Sequence, residues 1–265
     1  MGNSAARVQK LARFIGAFAV ALAAIGMAPV EAAEIRVFAG GAPQETLEAL
    51  APAFEKRTGH RVMFTFAHVS IIQKKLVAGE QADVILLPVP LMANMEKAIG
   101  LRPEGRSVIA RIGIGVVVRA GEKRPDISTA DAVRRMLLEA RAIAVPQPAG
   151  LTGSHLMRMM SKLGIADAVR PKLRHKPAID RGADLVGAGD ADVGLYLASE
   201  VMGAKGAVLA GMLPAELQNY VVYAIAVPAR NTSPEPALAF VKFVSDAANR
   251  EAWKATGFEL MESNK

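Results

Sequence analysis

The 265-residue chain has no cysteine. That excludes disulfides, thiolate metal sites and a cysteine nucleophile. It also excludes a lipid-modified cysteine at a cleavage point, the usual tether of an exported protein to a membrane. The short catalytic motifs are missing too: no G-x-S-x-G, no H-E-x-x-H and no G-x-x-x-x-G-K-[ST] phosphate loop. Gly187-Ala188-Gly189 and Gly113-Ile114-Gly115 each lack the third glycine of a dinucleotide fingerprint. The four histidines, His60, His68, His155 and His175, sit at no metal-ligand spacing. No cofactor and no metal are therefore expected. There is no internal low-complexity segment and no long linker.

What is present begins with a basic, then apolar, N-terminal stretch. Residues 1–13 carry Arg7, Lys10 and Arg13 and no acid, residues 14–27 are uncharged, and Val30-Glu31-Ala32 places small residues at a cleavage position. This is the anatomy of a secretory signal peptide over residues 1–32. The apolar run is too short for the ~20 residues a membrane-spanning helix needs, which argues against the rival reading of an uncleaved anchor. The expectation is a protein cut near Ala32 and free in the periplasm. Cleavage would remove three cations and one acid, turning the formal charge of +7 into +5. That modest excess is spread through amphipathic segments and implies no nucleic-acid partner. Its densest run, Arg170 to Lys176, reads as a solvated loop or as an attractor for an acidic partner.

About 230 residues remain, 52% of the whole chain being hydrophobic, enough for one large domain or two small lobes. Alternation predicts a strand at 34–39, broken by Gly40-Gly41-Ala42-Pro43. A helix with Leu47, Leu50, Ala51 and Phe54 on one face follows, ended by Gly59. The unit repeats as strand 61–66, loop 67–70, helix 71–78, and again as strand 82–87, turns at Pro88 and Pro90, helix to Ile99. Three β-loop-α units argue for an α/β sheet covered by helices. A second series has strands at 113–119, 142–146, 192–197, 207–209 and 221–227, a loop at 147–154, and closing helices at 235–247 and 250–256. The expected partition is lobe I from residues 33–113 and 226–265 and lobe II from residues 114–225. The chain would cross over near 113–119 and 221–227.

The loops at strand-to-helix junctions are rich in small and hydroxyl residues: Gly40-Gly41-Ala42, Ala67-His68-Val69-Ser70 and Gly150-Leu151-Thr152-Gly153-Ser154-His155. A helix start there presents free backbone N–H groups and the positive end of its dipole, where an anion binds without a cationic side chain. Ordinary turns and N-caps use the same residues. Several such loops in both lobes point to a ligand cleft.

In order and spacing, Val37-Phe38-Ala39, Phe64-Thr65-Phe66-Ala67, Ala82-Asp83-Val84, Pro171-Lys172-Leu173, Asp192-Val193-Gly194 and Ala255-Thr256-Gly257-Phe258 resemble the bacterial extracellular solute-binding proteins of the molybdate-binding type. The resemblance runs from Glu34 to Phe258. It implies a two-lobed α/β periplasmic-binding-protein fold (type II), each lobe a mixed, mostly parallel sheet flanked by helices. It also implies a monomer that takes a small anionic ligand to an ABC permease of the inner membrane. By the same resemblance, the family's first ligand serine falls on Ala42 and its serine loop on Ala67–Ser70, the main ligand serine on or beside Val69. Its Pro-Ala-Gly loop falls on Leu151-Thr152-Gly153, and its cleft tyrosine on Leu197, next to Tyr196. Two hydroxyl donors are thus absent, and each lost hydrogen bond to a charged group costs ~1.5–3 kcal/mol. That departure favours a small carboxylate over a tetrahedral oxyanion. Ala198-Ser199-Glu200 with Leu213–Gln218 looks like relatives of unassigned ligand, a broader group that includes an isomerase of aconitate.

The candidate ligand-binding residues are Gly40, Gly41, Ala42, His68, Val69, Ser70, Arg111, Thr152, Gly153, Ser154, Tyr196 and Leu197. Arg111 reads either as a bidentate carboxylate clamp or as an exposed strand-edge charge. His68 reads as a hydrogen-bond donor or acid/base, or as a helix cap. His155 reads as a helix-surface residue, and Asp180-Arg181 as a cleft loop or a surface ion pair. On the alternative reading, an exported isomerase of a small polycarboxylate, His68 and Glu200 are the proton-transfer candidates. Glu200 otherwise reads as a helix-start carboxylate.

Overall fold

The computed structural model describes residues 32–261 apart from 178, 180 and 233. The expected signal peptide, save Ala32, lies outside the described residues. The chain runs β1 (Glu34–Ala39), α1 (Gln44–Thr58), β2 (Arg61–Phe66), α2 (Val69–Val77), β3 (Val84–Pro88) and α3 (Val89–Ile99), then β4 (Ser107–Ile112) and β5 (Ile114–Arg119). Next come α4 (Ala130–Glu139), β6 (Ile143–Val145), α5 (Leu151–Lys162), α6 (Ala166–Val169), β7 (Leu173–His175), α7 (Asp184–Ala188), β8 (Val193–Leu197), α8 (Ser199–Met202) and β9 (Ala207–Met212). β10 (Val221–Ala226), α9 (Pro234–Val244), α10 (Arg250–Ala255) and β11 (Phe258–Leu260) close it.

Two sheets form, a six-stranded one in the order β11-β4-β10-β3-β1-β2 and a five-stranded one in the order β7-β6-β8-β5-β9. In the first, only β10 and β11 oppose the other strands. In the second, only β5 does. The α/β class and the mixed sheets are thus as the sequence implies; most strands of each sheet run one way, but five of the nine pairings are antiparallel.

Period-two alternation explains how both faces are covered. On β1, Ile35, Val37 and Ala39 face a core with Leu47, Phe54, Phe240 and Trp253, whereas Phe38 faces a second cluster with Ile72, Leu76, Met92 and Met95. On β8, Val193, Leu195 and Leu197 join the first core and Tyr196 points to a third, with Val117, Ala144 and Val186. Trp253 is fully buried, and its indole N–H donates to Val244 O at 2.9 Å.

The sheets exchange chain at Gly113, between β4 and β5, and again between Met212 and Val221. The second exchange comes earlier than the expected residue 226. β10 lies between β3 and β4 in the six-stranded sheet, because its partners, distant in sequence, are Leu86 and Ala110 with their neighbours. Gln218 joins the two passages. Its Oε1 accepts from Ile114 N–H at 2.7 Å, and its Nε2 donates to Ile114 O at 3.0 Å.

The run 170–176, expected as a solvated loop, ends in β7, an edge strand with Arg174 and His175 exposed. Charges on an edge discourage pairing with another chain. The loop expected at 147–154 stops at Gly150, where α5 starts. Gly153 sits inside that helix, and the position takes a glycine because a Cβ there would lie 2.0 Å from Gln147 O. Among the described residues, no helix is long and apolar enough to cross a membrane.

Candidate functional site

Four helices begin directly after the carboxyl ends of β1, β2, β3 and β6: α1, α2, α3 and α5. Their starts converge on one cavity of about 700 Å³, counted to its open mouth. Gly41, Ala42, His68, Val69 and Pro88 come from the six-stranded sheet's side. Pro146, Gln147, Gly150 to Gly153, Pro177, Ile179, Leu197 and Glu200 come from the other, and Val221 and Tyr223 of β10 complete the wall. The carboxyl ends of parallel strands are where α/β sheets place ligands. The first N–H groups of a helix have no intrahelical partner. Among the described residues, nothing accepts from the amides of Ala42, Val69, Thr152 or Gly153.

The wall is otherwise apolar, and among the described residues no Lys or Arg lines it. Thr152 is buried and its hydroxyl has no hydrogen-bond partner among them. His68 caps α2: Nδ1 accepts from Ser70 N–H and lies 2.8 Å from Ser70 Oγ. A neutral ring accepting at Nδ1 carries its proton on Nε2. A Cβ on Gly150 would lie 3.9 Å from that Nε2, so His68 reaches across to the α5 loop.

Glu200 is the acid in this wall. Part of its surface is open to the cavity, yet enough protein surrounds it that desolvation pushes its carboxyl up to about 7. One backbone hydrogen bond, from Leu197 N–H to Oε2 at 3.0 Å, works the other way. The described residues give Glu200 no ion-pair partner. Tyr223, 3% exposed, is pushed up by burial first and by the Glu200 charge second. A second cavity of about 930 Å³ shares Gly41, Ala42, Ile179 and Glu200 with the first and adds Glu45, Glu48, Arg181, Asp184 and Ser199.

Of the residues singled out from sequence, Gly41, Ala42, His68, Val69, Thr152, Gly153, Leu197 and Glu200 come together in the first cavity. Gly40 stands just behind it, where a Cβ would press Val69 Cγ1 at 2.9 Å. Ser70 is turned to His68, and Ser154 Oγ donates to Leu151 O within α5. Tyr196 lies on the opposite face of β8, its hydroxyl donating to Lys176 O at 3.0 Å.

Arg111 does not reach the cleft. β11 pairs with β4 and sets Glu259 directly opposite, so the guanidinium makes a 2.6 Å ion pair there and lies 4.5 Å from the centre of the Tyr220 ring. His155 is tied to Leu217 O at 3.0 Å. Arg181 binds Asp184 at 2.6 Å and also donates to Gly203 O, while Asp180 lies outside the described residues. Among the described residues, no cluster could hold a metal ion.

The family profile "Bacterial extracellular solute-binding protein" matches residues 35–259. The chain belongs to this family. Aconitate isomerase of Pseudomonas sp is 28% identical to this solute-binding protein over 227 residues, covering 83% of this chain and 84% of the relative. The molybdate-binding protein ModA of Escherichia coli K12 is 26% identical over 253 residues, 93% and 96% of the two chains. Among solved structures, the periplasmic molybdate-binding protein of Azotobacter vinelandii superimposes with a TM-score of 0.71 at 18% identity, covering 86% of this chain and 100% of that one. The sulfate-binding protein SubI of Mycobacterium tuberculosis H37Rv gives 0.71 at 20% identity, covering 87% and 88%. These neighbours share the fold. The setting of this solute-binding protein is accordingly the periplasm or the cell exterior.

Sequence reasoning missed Gln147, Ile179 and, above all, Tyr223. Leu197 occupies the position where the resemblance expects a tyrosine, and Tyr223 brings a phenol to the same cavity from β10 instead. The available signal was a tyrosine within a strand that is otherwise wholly apolar, Val221–Ala226. A buried tyrosine calls for a polar partner or a ligand.

Proposed function

We propose that this solute-binding protein captures a small organic carboxylate in the first cavity and presents it to an ABC permease. The observation that carries the reading is the wall itself. Helix-start amides without a partner among the described residues lie in a wall that is largely carbon (Ala42, Val69, Pro88, Pro146, Leu197 and Val221), with His68, Gln147, Thr152, Glu200 and Tyr223 as its polar side chains. Amides at helix starts suit the charged end of the ligand, and the apolar wall suits a carbon skeleton. A tetrahedral oxyanion offers no skeleton, and it would find alanine and valine at 42 and 69 in place of hydroxyl donors. Each missing bond to a charged ligand costs ~1.5–3 kcal/mol. The curated relative that acts on aconitate supports a carboxylate; the molybdate-binding relatives support an oxyanion and supply the permease. The protein works as a monomer, its lobes (residues 33 to about 113 with about 221 to 265, and the segment between) closing over the ligand about the passages at Gly113 and Gln218.

A second reading, an isomerase of a polycarboxylate, is favoured by Glu200, whose carboxyl, raised to about 7, sits in the wall with His68 at the rim. Such a pair suits proton abstraction and return.

A thermal-shift and calorimetric panel of di- and tricarboxylates, molybdate, tungstate, sulfate and phosphate tests both. A carboxylate at 100 times its Kd should add ~2.7 kcal/mol of stability, and it should be recovered unchanged. Submicromolar molybdate binding with no response to carboxylates would contradict the first reading. Interconversion of cis- and trans-aconitate would establish the second.

A further inference from the structure

Glu200 stands where an anion-binding cleft should least tolerate a carboxylate. It lines both cavities, which meet at Gly41, Ala42 and Ile179. On the side of the first cavity, β10 presents Tyr223 and the start of α2 presents His68. From its own segment come the Leu197 N–H, already donated to Oε2, and Ser199, whose buried Oγ has no partner among the described residues. Tyr196, on β8, feels its charge from the opposite face. On the side of the second cavity, α1 brings Glu45 and Glu48, both acidic. Arg181 is there as well, but Asp184 and the Gly203 carbonyl hold it. An ionised Glu200 facing a captured anion would therefore have like charges around it, and among the described residues no unengaged Lys or Arg lines either cavity.

We propose that Glu200 enters the complex as a carboxylic acid, donating to a ligand oxygen, so that wherever the free carboxyl is ionised each anion captured brings one proton from solvent into the cleft. This rests on the reading of the first cavity as an anion site and adds the residue that decides which protonation state binds. An ionised carboxylate can only accept hydrogen bonds, whereas a protonated one donates. With Oε2 engaged by Leu197, Oε1 is the oxygen left for the proton. Burial without an ion pair already tilts the free protein this way, raising the carboxyl to about 7. The added proton removes the repulsion and supplies a donor where the hydroxyls at 42 and 69 are missing. Capture should then weaken as pH rises. Above the range where free Glu200 loses its proton, the Kd should climb about tenfold per pH unit.

The test is calorimetry of the whole protein with two probes, trans-aconitate and molybdate, at pH 6 to 9. At pH 8 it is repeated in buffers of different ionisation heat to count protons. The expected result at pH 8 is an uptake approaching one proton per probe bound. Uptake should vanish in Glu200→Gln, whose amide still accepts from Leu197 and donates to the ligand; its Kd should be flat with pH and below the parent's at pH 8. His68→Asn should keep the uptake. Binding by the parent without proton uptake overturns the proposal and leaves the anion site standing, and that count decides even if the glutamine variant does not fold. Uptake retained in Glu200→Gln, or lost in His68→Asn, also overturns it by moving the proton elsewhere. If neither probe binds, the anion-site reading falls, and this proposal with it.

Discussion

Thr152 lines the cavity, and under the proposed function its hydroxyl serves the ligand rather than the core. It is 9% exposed, and among the described residues its hydroxyl has no partner. Thr152→Val keeps the shape and removes the donor. Affinity for the cognate anion should fall by roughly ten- to a hundredfold, the equivalent of ~1.5–3 kcal/mol for a bond to a charged group. Ligand-free stability should change far less, since none of the described residues loses a partner. Calorimetry and thermal melts of the variant check both halves, and unchanged affinity would place the ligand away from α5. Arg111 is the contrasting case: an arginine beside an expected crossover reads equally well as a carboxylate clamp. Its fate was decided by Glu259, 148 positions away, in a three-residue strand too short to carry a periodic signal. Tyr223 went unread for a related reason. Its meaning depends on which sheet β10 joins, and a strand's partners are not written in its own residues.

At the scale of elements, the helices after β1, β2 and β3 were the most legible feature, because the alternating runs and the glycine stops are local, whereas α4 after β5 went unread. Gly59, with φ 75°, ends α1 as its position after Lys56-Arg57 implies. Elements fixed by distant pairing were not legible: β4, the edge strand β7, and β11. The start of β8 is held by such a distant contact. Asp192 accepts from Arg141 N–H at 2.6 Å and pairs with the Arg141 guanidinium at 2.7 Å, tying the turn after α4 to β8. The Arg141 side chain first, then burial opposing it, and then the backbone amides leave the Asp192 carboxyl below its ordinary value. A carboxyl lowered in the folded state stabilises fully above its unfolded pKa, about 3.9, and the benefit is lost as pH falls through the folded value. Asp192→Asn should therefore be less stable than the parent near neutral pH, and the difference should shrink below pH 4. Melts across pH 3 to 7 check this, and a pH-independent difference would contradict it.

For the whole molecule, the two sheets trade chain at two places, and Gln218 holds those places together by bonding both backbone groups of Ile114. The two-lobed architecture follows from the series of β-loop-α units together with the family resemblance. The point of return at β10 does not, because β10 is antiparallel to its neighbours and breaks the series. Gly41 lies against Ile179 from the other side, where a Cβ would sit 3.3 Å from Ile179 Cδ1. That contact makes Gly41→Val the sharpest probe of the central claim, that the anion is held between the lobes. The added branch would press on Ile179 and fill the approach to the amides. The decisive measurement is a calorimetric titration of the parent and of Gly41→Val with the carboxylate that most stabilises the parent. The account predicts one site in the parent and a loss of at least about a hundredfold in the variant, with ligand-free melting within a few degrees. Equal affinity in a folded Gly41→Val protein would contradict it.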